Sequence, residues 1–252
     1  MTELPQSPDG WAFFLDLDGT LVDIAPTPEA IVIPPELPGL LVRLSERTGG
    51  ACAVVTGRTI DTIDRVLAPL RLPVAGVHGA EIRLANGRRI ADPALSALAP
   101  ARAALTDLTR RHPALFLEDK GVALTVHYRA DPGLAGVVAE AARRAVAAAE
   151  GLAVQHGKMV VEVRPAHADK GRAVETLMAA PPFRGRKPLA AGDDLTDEHM
   201  FRAAAGLGGS GVRVGTDDRV SEAQARLPDP ASMRAWLARL VRGKARISAE
   251  IA

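Results

Sequence analysis

Five short apolar runs, at residues 13–17, 51–55, 73–77, 188–191 and 212–214, have the length of buried strands. Among them lie amphipathic stretches of helical length, at 35–47, 59–70, 171–180, 196–205 and 231–241. Strand alternating with helix predicts an α/β protein whose core is a doubly wound, Rossmann-like, mostly parallel sheet with helices on both faces. In such a sheet the site lies beyond the carboxyl ends of the strands. Four of the runs are followed by polar or glycine-rich clusters: Asp16 to Thr20, Thr56 to Arg58, His78 to Glu81, and Gly192 to Asp197.

Residues 104–164 break this rhythm and read as an inserted α+β cap domain, with 1–103 and 165–252 forming the catalytic core. The insertion predicts a helix at 101–111, a strand pair at 115–118 and 122–129, a helix at 132–150 and a last strand at 158–164. Alternation puts Val122, Leu124, Val126 and Tyr128 on one face, with Thr125, His127 and Arg129 opposite. In the last strand Met159, Val161 and Val163 share a face, while Lys158, Glu162 and Arg164 take the other. The apolar faces can cover the helices, leaving a polar face open.

Composition narrows the function classes. The 252 residues carry 31 Lys and Arg against 30 Asp and Glu, with no long run of one sign. A nucleic-acid or anionic-membrane footprint is therefore missing. Cys52 alone cannot form an intramolecular disulfide, which suits a reducing compartment. With no basic-then-apolar leader and no run near ~18 apolar residues, a soluble cytoplasmic protein is expected.

The chemistry gathers at the strand ends. Asp16 and Asp18 project toward one region, and Gly19 permits the turn that exposes them. One carboxylate can attack phosphorus while the other moves a proton; an acidic turn with a capping threonine is the plainer alternative. Asp193, Asp194 and Asp197 open a helix and could simply cap it, but the fold brings them beside Asp16. Four or more carboxylates repel and raise one another's pKa. A hard divalent cation such as Mg²⁺, which prefers oxygen ligands, resolves that conflict. Thr56, Gly57 and Lys170 offer a hydroxyl, backbone N–H groups and a point charge to a phosphoryl group. In the insertion, carboxylates and ammonium groups on one sheet face suit a hydroxyl-rich ligand, with a solvated outer face as the alternative. At 3% aromatic residues, recognition of such a ligand would rest on hydrogen bonds more than stacking. His78, at a strand end near the site, is a candidate substrate contact.

DLDGTL (16–21), VVTGR (54–58), the late Lys170 and GDDLTDE (192–198) occur in an order that resembles the haloacid dehalogenase superfamily of phosphatases. More narrowly, PTPEA (26–30), GVHGAEIR (76–83), EDKGVALTVHYR (118–129), GKMVVEVRP (157–165), ADKGRAV (168–174) and GDDLTDEHMF (192–201) resemble trehalose-phosphate phosphatases, from residue 13 to about 215. That resemblance implies an Asp16 nucleophile and Asp18 as general acid and base. It also implies Mg²⁺ held by Asp16, the Asp18 backbone carbonyl and Asp193, with Asp194 and Asp197 completing or supporting that shell. Thr56, Gly57 and Lys170 would grip the phosphoryl group. Glu118, Lys120, Lys158 and Glu162 would contact the sugar, with His127 and Arg129 as neighbours; Arg58, in the loop with Thr56 and Gly57, is a further substrate-binding candidate. The expected substrate is trehalose 6-phosphate; rivals are another sugar phosphate or a non-catalytic sensor. A functional link to a trehalose-phosphate synthase and a monomer or weak homo-oligomer are also expected.

Overall fold

Hydrophobic alternation within the first strand dictates how the core is layered. In the computed structural model, which describes residues 4–27, 30–91 and 93–242, the strands are β1 (Trp11–Leu15), β2 (Cys52–Val55), β3 (Val74–Gly76), β4 (Glu81–Arg83), β5 (Arg89–Ala91), β6 (Phe116–Asp119), β7 (Leu124–His127), β8 (Leu152–Gly157), β9 (Val160–Pro165), β10 (Lys187–Gly192), β11 (Ser210–Val214) and β12 (Ala225–Leu227). The helices are α1 (Leu37–Arg47), α2 (Ile60–Val66), α3 (Leu98–Arg111), α4 (Ala135–Ala147), α5 (Lys170–Met178), α6 (Asp197–Gly206) and α7 (Pro230–Arg242). Pro28 and Glu29, within the 26–30 segment, lie outside the described residues.

Phe13 and Leu15 of β1 join one buried cluster with Leu40, Ile63 and Trp236 of α1, α2 and α7. Ala12 and Phe14 point the other way, to Val174 and Phe201 of α5 and α6. Both faces are thus covered, as a parallel sheet requires. The sheet order is β12-β11-β10-β1-β2-β3-β4-β5, parallel through β3 and antiparallel at the β4 and β5 edge. Because β1 pairs with both β10 and β2, the segments after Leu15, Val55 and Gly192 emerge side by side. Among the described residues no helix is long and apolar enough to cross a membrane.

The second sheet, β6-β7-β9-β8, is antiparallel throughout. Leu124, Val126, Val161 and Val163 pack on Leu105, Leu108, Val138 and Ala142 of α3 and α4. Leu98 belongs to this cluster, so the packing of the insertion starts ahead of residue 104. A small cluster of Val77, Ala80, Ala123 and Ala168 joins the two sheets.

Several sequence expectations are corrected. Helix 132–150 is a 3-10 turn, Pro132–Leu134, followed by α4, which stops at Ala147. Strand β8 and the β4/β5 hairpin were not anticipated. Lys158 and Met159 are not in a strand: they make the β8–β9 turn, where Met159 has φ 61°, and Lys158 is exposed. The polar face of the second sheet is only partly open: Glu118 and His127 are each a third exposed, whereas Thr125 and Glu162 are buried, with Lys120 paired to Glu162.

Candidate active site

Asp16 continues β1 by one residue, its N–H donating to Ala191 O at 2.9 Å. The turn after it folds back on buried Leu21 and Val22, with Gly19 N–H bonded to Val22 O. Gly19 is required twice over. Its φ is 78°, and a Cβ there would lie 2.2 Å from the Asp193 carboxylate. Thr20 Oγ1 donates to Asp193 Oδ1 at 3.2 Å, so this turn orients the acidic loop after β10.

Oxygens of Asp16, Asp193 and Asp197 lie within 4.8 Å of one another. Lys170, the first residue of α5, is buried among them: its Nζ donates to Asp197 Oδ1 at 2.6 Å and stands 3.1 Å from Asp16 Oδ1. Helix α5 is held by Asp169, which caps it and meets His199 of α6. Burial, and then the neighbouring Asp197, Asp193 and Asp194, push Asp16 well above the ordinary carboxyl range. The same causes raise Asp193 to about 6. Burial alone would lower Lys170, but Asp16 and Asp197 reverse that and keep it an ammonium group. One ammonium does not offset the surrounding carboxylates, and an all-oxygen donor set suits a hard divalent cation.

The five predicted acidic groups are not equivalent. Asp194 turns Oδ1 to Thr196 N–H, Thr196 Oγ1 and Asp197 N–H, the helix-cap arrangement. Against the effect of burial, Lys170 and Thr196 hold its carboxyl low. Asp197 accepts from Asp193 N–H and Asp194 N–H with its second oxygen. The Asp18 carboxylate is gripped by the fork of Arg58, Nε and Nη2 each at 2.7 Å, and lies outside the three-aspartate cluster.

Thr56 is buried after β2, its N–H on Ala75 O and its Oγ1 accepting from Arg58 N–H. Val77 and His78 then fold back on this loop with φ 45° and 56°. Left-handed φ in a β-branched residue such as Val77 is rare and costs on the order of 1–3 kcal/mol. It persists here because Val77 N–H bonds Arg58 O at 3.0 Å and His78 N–H bonds Thr56 O at 2.9 Å.

On the second sheet, Lys120 Nζ and Thr125 Oγ1 both donate to Glu162 Oε1, at 3.0 and 3.1 Å. Glu118 Oε2 lies 2.9 Å from His127 Nε2. Arg129 lies beyond the end of β7 and is exposed, so it does not join these pairs.

Sequence reasoning missed a strap behind the acidic loop. Arg213, 1% exposed on β11, donates to Arg219 O and Asp217 O and pairs with the Asp217 carboxylate. Arg219 reaches back to Asp193 O, and Glu222 N–H bonds Glu198 Oε2. The available signal was an arginine between two valines in a buried strand, a charge that must find partners.

A core sheet of this order, with an inserted α+β unit over its carboxyl edge, defines a haloacid dehalogenase-type protein. A haloacid dehalogenase-like hydrolase from Bacteroides thetaiotaomicron shares the fold at TM-score 0.69 and 17% identity, over 91% of this chain and 98% of that one. A closer solved structure, described as a trehalose-6-phosphate phosphatase related protein, is 28% identical with TM-score 0.75, over 92% of this chain and 97% of that one. A probable trehalose-phosphate phosphatase of Sinorhizobium fredii is 43% identical over 233 residues, 92% of this chain and 88% of the relative. The trehalose-phosphatase family model matches residues 14–231, and the chain belongs to that family of enzymes.

Proposed function

We propose that the protein hydrolyses trehalose 6-phosphate to trehalose and phosphate. The observation that carries this reading is Asp16, buried with one oxygen 3.1 Å from Lys170 Nζ, in a chain matched along most of its length by trehalose-phosphatases. An Asp16 oxygen attacks phosphorus and the bond from phosphorus to the sugar oxygen breaks. Asp18 gives its proton to that departing oxygen. Asp18 then takes a proton from the water that attacks the aspartyl-phosphate, releasing phosphate and restoring the Asp16 carboxylate. Proton transfer by Asp18 needs Arg58 to swing off it, and the ester's oxygens are a natural new partner for that guanidinium.

Lys170, Thr56 and the Gly57 backbone hold the phosphoryl oxygens. Asp16, the Asp18 carbonyl and Asp193 are the residues that would hold Mg²⁺, with Asp197 bracing them and Asp194 capping α6. When bound, that ion would offset charge on the phosphoryl oxygens. Glu118, Lys120, Glu162 and His127 face the sugar, with Lys158 at the rim of the turn. The enzyme works in the cytoplasm as a monomer or weak homo-oligomer, on the product of a trehalose-phosphate synthase.

The test is a panel of sugar phosphates assayed for phosphate release, with Mg²⁺ present and then chelated. Trehalose 6-phosphate should lead the panel and chelation should stop turnover. A preference no greater than for glucose 6-phosphate would sink the substrate assignment.

A further inference from the structure

His78 occupies the seam where the phosphoryl loop and the second sheet meet. Its backbone is locked to that loop by the bonds from His78 N–H to Thr56 O and from Val77 N–H to Arg58 O. The Cε1–Nε2 side of its ring stands so close to Gly57 that a Cβ there would lie 2.8 Å from both atoms. Immediately before it, Val77 packs with Ala123 at the start of β7. The charged groups facing the imidazole come from every side of the seam: Lys170 from α5, Glu162 and Arg164 from β9, and Asp194 from the acidic loop. Within this ring of charged groups, Nδ1 is buried and has no hydrogen-bond partner among the described residues. A buried polar atom left unpaired is costly and calls for a partner.

We propose that His78 is a specificity-determining residue, its Nδ1 completing a hydrogen bond with a hydroxyl of the hexose that carries the phosphate. The inference rests on the phosphatase reading above and deepens it. With phosphorus at Asp16 and the rest of the ligand toward Glu162, the phosphorylated ring has to pass the seam that His78 lines. Burial, and then Lys170, lower the imidazole to about pH 4, so at neutral pH it is uncharged. A neutral imidazole adds little to a phosphoryl dianion already served by Lys170 and Thr56. A hydroxyl, which both donates and accepts, fits Nδ1 in either tautomer. The left-handed backbone at 77–78 turns the chain back onto the 56–58 loop, which is why the ring lies against Gly57.

The experiment uses the whole chain with Mg²⁺. His78→Gly removes the ring while accepting φ 56° without strain; His78→Asn keeps a short hydrogen-bonding group and also tolerates left-handed backbone. The readout is kcat/KM for trehalose 6-phosphate and for glucose 6-phosphate, each divided by that for phenyl phosphate, which has no hydroxyl. Both ratios should fall about tenfold in His78→Gly, the scale of one hydrogen bond to a buried group, and recover in part in His78→Asn. Among glucose 6-phosphates lacking one ring hydroxyl, one analogue should be penalised by the wild type and not by His78→Gly, which identifies the hydroxyl. Equal losses on phenyl and sugar phosphates, unchanged ratios, or no such analogue would overturn the proposal. A wild type that does not prefer trehalose 6-phosphate would instead remove the trehalose reading and leave the glucose 6-phosphate ratio as the test of His78.

Discussion

Lys170 and Asp197 form the tightest buried ion pair of the site, with Nζ 2.6 Å from Oδ1 and both side chains withdrawn from solvent. The other Asp197 oxygen accepts the Asp193 and Asp194 N–H groups, so this carboxylate joins α5 to the acidic loop. Asp193 has a different situation: its carboxylate accepts only the Thr20 hydroxyl at 3.2 Å among its described hydrogen bonds.

From that contrast, Asp197→Ala should lower the melting temperature strongly, because it strands Lys170 beside Asp16 and frees two loop N–H groups. Breaking a buried pair costs about 3–5 kcal/mol, or roughly 6–20 °C in a chain of this size. Asp193→Ala should melt nearly as the wild type and instead need at least about tenfold more Mg²⁺ for half-maximal activity. Melting curves and Mg²⁺ titrations of both variants check this, and similar titrations for the two would contradict it.

Asp16→Asn keeps the shape of the side chain without a nucleophilic carboxylate. Turnover should fall at least about 10³-fold while the fold survives, the scale for losing a group whose partners act as a unit. Rapid-quench labelling should also show no phosphorylated protein. Phosphate release at the wild-type rate would take Asp16 out of its role.

Stability without metal should depend on pH in a defined sense. Asp193 sits at about 6 in the folded protein, above the ordinary aspartate value. A raised carboxyl adds stability in its protonated form, fully present below about pH 4 and lost as pH rises through 6. Asp16 and Asp197 are raised as well and act with the same sign. After allowance for the partial exposure of Asp193, its share is about 1–2 kcal/mol, or roughly 2–8 °C between pH 4.5 and 7.5. Mg²⁺ should restore most of that loss at pH 7.5 and little at pH 4.5, where protons compete for the same oxygens. Differential scanning fluorimetry with chelator and with Mg²⁺ reads both slopes.

On the second sheet the effects should be graded by position. Glu118→Ala removes an acceptor paired, among the described residues, with His127, and should reduce kcat/KM for trehalose 6-phosphate relative to phenyl phosphate by roughly 10- to 150-fold. Glu162→Gln should act similarly, whereas Glu162→Ala would also unpair half-buried Lys120 and buried Thr125 and lower the melting temperature. Lys158→Ala, in the exposed turn, should change the ratio least. A larger effect at Lys158 than at Glu118 would mean that the β8–β9 turn, and not β6, reads the sugar.

The strap gives a fifth expectation. Arg219→Ala releases the Asp193 carbonyl, so the Mg²⁺ concentration for half-maximal activity should rise severalfold with kcat at saturation nearly kept. Mg²⁺-dependent thermal stabilisation should weaken in parallel, and Arg219→Lys should recover part of both. An unchanged stabilisation curve would leave the strap with no hold on Asp193.

Much of this was legible in residue order, because the chemistry follows strands whose apolar runs are unmistakable: Asp16 after Phe13–Phe14–Leu15, Thr56 after Val54–Val55, Asp193 after Ala190–Ala191. What pattern alone could not separate was Asp193 from Asp194. Adjacent and identical in type, they differ in what the fold brings to each carboxylate, the Thr20 hydroxyl to Asp193 and the Thr196 and Asp197 N–H groups to Asp194. The β4/β5 hairpin has two three-residue strands with polar positions, below the length at which alternation speaks, although Asn86-Gly87 marked its turn. Arg58 looked free for substrate until the fold set Asp18 in front of it. Glu162 looked solvated for the same reason: burial of a polar face depends on what another part of the chain lays over it.

The apolar contact joining the two sheets is small, Val77, Ala80, Ala123 and Ala168 with half-buried Val122 at its edge, whereas each sheet carries a large cluster of its own. Packing changes beneath the second sheet therefore have few routes into the core, and distant substitutions add nearly independently. The chemistry at Asp16 can stay constant while Glu118 and its neighbours drift, so one hydrolytic core can be retailored to new sugars without being rebuilt.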